Sequence, residues 1–425
     1  MTSETRVSAL PIGELDTDQV RAELDAILGA FTGLGIQPRL AQPVSNETEA
    51  RRTVEGLSGQ PPDLLLLIPL RGLSAQAMEA AGRASPAPCL IWPVSGRFAL
   101  PSSALAAGAL HDAGVPVEMV FAPPSHPRAI AQAGSVVRAA TAYSRLRQSR
   151  IGLVGGLFPN LVSCRYDPQT VSARLGPTLV PIAYDELRAG MRTAVEPEAT
   201  SRAISAAYSV AATDVSALAA GARLHLALKQ AAHDQQLDAV ATECWTGLPR
   251  ELGLNPCLGF VEDAYTLACE GDVLLATALL MVRHLTGVRA YVGDLYDLDL
   301  DGCLTLVHCG GPASLAASKQ SVVLGKSELA QQRGFETIAC RPPLPAGRVT
   351  LFRLYGPDCD QMHVALGELT GSNQSPNLGA HIQLAGDRWN FLSQSFGNHY
   401  VVAPGDIRPE LTLLSKWLSI HLHET

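Results

Sequence analysis

The sequence predicts an α/β protein with two parallel-sheet domains and a smaller, barrel-like β-rich domain after them. Three observations carry this. Short unbroken apolar runs alternate with helical stretches up to about residue 148, and the alternation starts afresh at Arg150. After Pro312 only short strand-like pieces remain, separated by Gly, Pro and Asn turns. The expected divisions are therefore 1–148, 149–311 and 312–425.

In the first part, Val7–Ile12 reads as a strand and Asp18–Phe31 as a helix ending near Gly33. Asp63–Pro69 (DLLLLIP) and Cys89–Val94 (CLIWPV) are continuous apolar runs, as expected of strands buried on both faces. Val117–Phe121 is a weaker run, interrupted by Glu118, and Pro127–Gln148 reads as one long helix. In the second part Ile151–Gly156 is strand followed by a glycine turn. Val210–Gln235 is helical, Leu237–Glu243 and Tyr265–Cys269 are strands, and Val273–Leu285 is an apolar helix. Arg289–Gly293 and Leu304–Val307 also read as strands, the first parallel to Tyr265–Cys269; the link from Asp294 to Leu304 is too short for a parallel crossover, which would put His308 on the other edge or in a linker into the last part. The last part offers Ser321–Leu324, Arg348–Leu354, His363–Leu366, His381–Leu384 and His399–Val402 as strands. Arg408–Leu422 reads as an amphipathic helix with Leu411, Leu414, Leu418 and Leu422 on one stripe.

Composition narrows the function. The chain has 425 residues, 47% apolar and 17% charged, which suits several buried cores without a disulfide or metal staple. Its net charge of −8 and 5% aromatics count against a nucleic-acid or membrane-surface partner. No apolar run is long enough to span a bilayer. Charged residues interrupt the start of the chain, which does not read as a signal peptide. The nine cysteines are odd in number and lack a C-x-x-C pair, so a cytoplasmic protein with reduced thiols is expected.

The informative stretch is Ala268–Gly311. Glu270 ends a strand, Asp272 precedes the apolar helix, and Asp294 ends the next strand. If the three elements form a parallel crossover, Glu270 and Asp294 share the carboxyl rim where α/β sheets bind ligands. Glu243 ends its own run at the same rim. Two such carboxylates repel unless a cation sits between them, and oxygen donors with an imidazole suit Mg²⁺ or Mn²⁺. Each residue also has a plainer reading. Asp272 is a helix N-cap, Asp294 a loop carboxylate, His308 a structural histidine before the Gly310–Gly311 turn, and His399 an ordinary strand-start histidine. Gly152, Gly155 and Gly156 fail the dinucleotide fingerprint and read as a tight turn. Cys269 and Cys309 read as buried, inert thiols.

The segments ACEGDV, YVGDLYDLDLD and LTLVHCGG, with GNHYVVAPGD near the end, resemble the L-fucose isomerase / L-arabinose isomerase superfamily, especially its shorter fucose-isomerase-like members. The resemblance lies mainly in Ala241–Pro312. It implies two α/β domains and a β-rich third, in an oligomer whose first domain lies near a neighbour's site. It also implies Mn²⁺, with Mg²⁺ or Co²⁺ as substitutes, held by Glu270, Asp294 and His399, with His308 as the additional histidine of the arabinose branch. The implied reaction is aldose–ketose isomerisation of a sugar held through O1 and O2. A carboxylate (Glu270 or Asp294) moves the C2 proton by way of a cis-enediol. A metal-dependent epimerase or lyase, or a sugar-binding protein without turnover, would fit the same scaffold.

Overall fold

The computed structural model describes residues 5–210, 214–262, 264–328 and 338–425. The chain divides into two compact units, one reaching to Arg145 and including Pro409–Trp417, the other comprising Leu146–Arg408 and Leu418–Thr425.

The first unit is built on five parallel strands, β1 (Val7–Ile12), β2 (Arg39–Leu40), β3 (Leu64–Pro69), β4 (Cys89–Ile91) and β5 (Val117–Met119), in the order β2-β1-β3-β4-β5. Every residue of β1, β3 and β4 is buried, which is why β3 and β4 read as unbroken apolar runs; β1 carries one buried polar residue, Ser8. The helix Asp18–Gly33 opens on Thr17, whose hydroxyl accepts from the Val20 amide, and buries Val20, Leu24, Ile27 and Phe31 along one face. The C-terminal helix Arg408–Trp417 is fastened to this unit by Arg138, which donates to the buried Glu410 carboxylate at 2.5 Å. The helix expected to run to Leu422 stops at Trp417. Ser419 turns the chain through a left-handed conformation, and the next residues pair with a strand instead. Strand pairing here overrides the leucine periodicity.

The second unit holds β6 (Arg150–Val154), β7 (Thr178–Ile182), β8 (Ser209–Val210), β9 (Ala239–Thr242) and β10 (Thr266–Ala268). A four-stranded parallel sheet runs β10-β9-β6-β7. The helix expected from Val210 runs Val215–Asp234; residues 211–213 lie outside the described residues, and Val210 itself belongs to β8. β8 joins β13 (Val323–Lys326) and β14 (Ile338–Arg341) in a small sheet.

The remaining strands close a six-stranded antiparallel barrel. They are β11 (Tyr291–Leu298), β12 (Cys303–His308), β15 (Gly347–Tyr355), β16 (Gln361–Asn373), β17 (Leu378–Leu384) and β18 (His399–Pro404). The ring runs β15-β18-β11-β12-β17-β16 and returns from β16 to β15, with β19 (His421–Glu424) added parallel to β16. Tyr291, Leu306, Leu351, Ile382, Tyr400 and Val402 belong to its core.

This arrangement corrects one expectation. β11 is not a strand of the parallel sheet, and Asp294 stands within it rather than at its end. After the helix Val273–Thr286 the chain leaves the sheet and enters the barrel. Asp299–Gly302 is too short a link for a parallel crossover, so β12 returns as the second arm of a hairpin. The helix is apolar on all sides because it packs against β9 and β10 of the sheet and against β15 and β18 of the barrel. Among the described residues no helix is long and apolar enough to cross a membrane.

Candidate metal centre

Two turns and three barrel strands deliver the charged side chains. β10 ends at Ala268, and the chain then turns through Glu270 (φ 59°) and Gly271 (φ 69°), both left-handed. Glycine is required at 271. A Cβ there would lie 1.9 Å from the Gly156 carbonyl oxygen, in the turn that follows β6. The same turn fixes Glu270, since Phe158 N–H donates to the Glu270 carbonyl at 2.8 Å and the Glu270 N–H donates to Cys244 Sγ at 3.3 Å. The Gly155–Gly156 turn thus buttresses the carboxylate, and no helix follows it as a dinucleotide loop would require.

Asp272 closes the turn. Its Oδ1 accepts from Leu275 N–H at 2.9 Å and caps the buried helix. Its Oδ2 lies 3.0 Å from His399 Nδ1. His399 begins β18 directly opposite Asp294 on β11, so the two side chains share a face of the ladder. His399 Nε2 is 3.5 Å from Asp294 Oδ1 and 3.9 Å from Glu270 Oε2. Asn398 donates to Asp294 Oδ1 at 2.6 Å. His308 ends β12, with its ring centroid 6.3 Å from that of His399. The ligating atoms of Asp294, His308 and His399 all lie within 4.8 Å of one another.

The electrostatics match this geometry. Burial, reinforced by Asp294 and Asp272 and opposed by His399, pushes the Glu270 carboxyl up to about 7. Burial works against ionised Asp272, yet the hydrogen bond and charge of His399 hold it below the usual carboxylate range. Burial likewise opposes a charged His399, but hydrogen bonds to Asp272 and Cys164 and the charge of Asp294 hold it well above the ordinary imidazole value. His399 is only 2% exposed, and among the described residues its Nε2 has no hydrogen-bond partner; Nδ1 of buried His308 has none either. An imidazole nitrogen buried without a partner between two carboxylates is the donor set a divalent cation requires, with Asp272 behind it in the place of the usual outer carboxylate.

The structure therefore brings Glu270, Asp294, His399 and His308 together, although not by the crossover expected. Glu243 is turned to another task. Its carboxylate accepts from Thr246 N–H at 2.9 Å, Thr246 Oγ1 at 3.0 Å and Gly247 N–H, tying the end of β9 to the next helix. Sequence reasoning missed Cys164, whose Sγ lies within 4.8 Å of ligating atoms of both Asp272 and His399, and Arg353, whose Nη2 stands 3.8 Å from that sulfur. It also missed Tyr166, whose hydroxyl is pushed up to about 12 by burial and the charge of Asp272. Cys164 and Tyr166 come from one C-R-Y run after β6, and Arg353 from β15, so no single local pattern marked them. Cys269 and Cys309 are buried and free.

No family model matches the chain. A sulfoquinovose isomerase of Priestia megaterium is 27% identical over 205 residues, covering 45% of this chain and 45% of that protein. One from Clostridium sp. (strain MSTE9) is 26% identical over 210 residues, covering 47% and 46%. These alignments span about half the length of either relative. A sulfoquinovose isomerase of Alkalicoccus urumqiensis is similar over a longer range, at 22% identity over 387 residues, or 86% of each chain.

Proposed function

We propose that the chain is a metal-dependent aldose–ketose isomerase of a free sugar, with sulfoquinovose the first substrate to try. The observation that carries this is the buried, unpartnered Nε2 of His399 facing Glu270 and Asp294. The names of the relatives support it, and so does the resemblance to the fucose and arabinose isomerases. Glu270, Asp294 and His399 would hold the cation, with His308 as a fourth donor. Mn²⁺ is the expected ion, and Mg²⁺ or Co²⁺ the substitutes. A divalent cation bound there supplies Lewis-acid polarisation of the carbonyl of an open-chain sugar.

The chain's own residues do the rest. Glu270 is assigned the proton transfer, since its carboxylate lies 3.9 Å from the imidazole nitrogen that would hold the cation and so beside the carbons of a sugar held there. It takes the proton from C2, leaving a cis-enediol, and delivers one to C1, while the hydroxyl proton passes from O2 to O1. Asp294, held by Asn398, lowers the cost of a positive centre at this place. The exposed Leu73, Phe98 and Leu105 of the first unit suit a self-associating protein, and a homo-oligomer is proposed.

A sugar panel with added Mn²⁺, with and without chelator, and with products identified, tests the function. Turnover that chelator abolishes and Mn²⁺ restores is expected. Binding of a sugar without turnover would establish a binding protein instead, and a change at a single carbinol centre an epimerase. Light scattering at micromolar concentration tests the oligomer, which a monomer would refute.

A further inference from the structure

Asp272 has two oxygens and two partners, and the division between them has a chemical consequence. Oδ1 accepts from Leu275 N–H, so it serves the helix. Oδ2 faces His399 Nδ1 at 3.0 Å, and an ionised carboxylate only accepts, so Nδ1 must carry a proton. With Nδ1 keeping its proton against Asp272, Nε2 is the nitrogen left to give up its proton and offer a lone pair to a cation; it has no hydrogen-bond partner among the described residues and looks toward Glu270 and Asp294. Asp272 is 3% and His399 2% exposed, so water does not substitute for either contact.

We infer that Asp272 is a positioning residue that selects the tautomer of His399 and thereby makes Nε2 a ligand. The inference rests on the metal site proposed above. The apparent helix cap and the outer partner of the histidine are one carboxylate.

Asp272→Asn separates the two roles. Asparagine caps helices about as well as aspartate. If its oxygen keeps the Leu275 contact, its NH₂ group replaces Oδ2 opposite Nδ1. A donor there forces Nδ1 to accept, and the ring proton moves to Nε2. There it finds the carboxylates of Asp294 and Glu270 as acceptors, so the wrong tautomer is stable and the lone pair is lost. The fold stays and the ligand goes.

The test uses the full chain. Nitrogen-15 histidine spectra of the metal-free wild type should show a protonated Nδ1 on His399. Titration with Mn²⁺, followed by the electron paramagnetic resonance of the free ion, should give an affinity 10–100-fold weaker in Asp272→Asn. The urea midpoints of the two proteins should agree. Wild-type spectra with Nδ1 unprotonated would overturn the inference without recourse to any variant. So would an Asp272→Asn protein that binds Mn²⁺ as tightly as the wild type. Failure of the wild type to bind any divalent cation would instead refute the metal site, leaving the tautomer to be decided by the spectra.

Discussion

Glu270 and Asp294 present carboxylates to the same imidazole nitrogen, but the chain holds them by opposite means. Asp294 lies inside an antiparallel ladder, flanked by Val307 on one side and His399 on the other, in extended backbone. Glu270 hangs on a two-residue left-handed turn with a carbonyl pressed against Gly271. Ladder hydrogen bonds hold the first without strain. The second keeps a conformation that costs about 1–3 kcal/mol for a residue with a side chain, and it persists because its surroundings enforce it. Register thus places the barrel side chains, whereas a close approach of two turns places Glu270.

The comparison breaks at once if either half proves dispensable. Glu270→Gln and Asp294→Asn keep shape and lose charge; the first should lower turnover about 10²–10⁴-fold, the usual contribution of acid–base catalysis, and the second should lower it by removing a charged ligand of the proposed cation. Steady-state rates with saturating Mn²⁺ check this, and near-normal activity in either variant would remove that half from the site. Gly271→Ala sharpens the contrast. Its Cβ meets a backbone oxygen at 1.9 Å in a left-handed conformation, so the turn must move. A loss of at least about 3 kcal/mol is expected in urea unfolding, because backbone rather than a flexible side chain has to yield.

The barrel half should instead be sensitive to acid. Burial, with the charges of His423 and Arg353, pushes His363 down to about 4, and its two nitrogens are taken by Tyr400 and Thr425. The unfolded chain binds this proton near pH 6.5 and the folded chain does not. Stability is therefore full above pH 6.5 and falls by about 3 kcal/mol as pH drops from there toward 4. Urea midpoints across that range, flattened in His363→Phe, check the sign. The smallest effect is the most pointed. Glu270→Gly should raise stability by about 1 kcal/mol while abolishing activity, since glycine takes φ 59° without strain. A destabilised Glu270→Gly would show that the turn is not strained.

Glu270, Asp294, His308 and His399 drew notice because each closes or opens an apolar run beside a glycine or helix signal, and the structure brings these four side chains near one another by other strand pairings than expected. Sheet membership was not legible. The run around Arg289–Gly293 reads alike as a buried parallel strand and as a barrel strand, and only the short loop Asp299–Gly302 argued for a hairpin. Asp272 was readable as a cap, but its bond to His399 crosses from the sheet's turn to the barrel, and no local pattern encodes a contact between residues so distant in sequence. Cys164 and Arg353 meet beside the site for the same long-range reason.

Closure of the barrel limits how such a site can change. A one-residue slip of β18 would carry His399 to the inner face and expose the place of Tyr400. A slip of two would restore the face but shift the imidazole by about 7 Å along the strand, far beyond a metal–donor bond of about 2.0–2.6 Å. In a closed ring either slip must also be absorbed by the neighbouring strands. Substitution can therefore replace a side chain in place, at 294, 308 or 399, but cannot slide the set. Changes at this place act through single side chains, with the strand alignment left as it is.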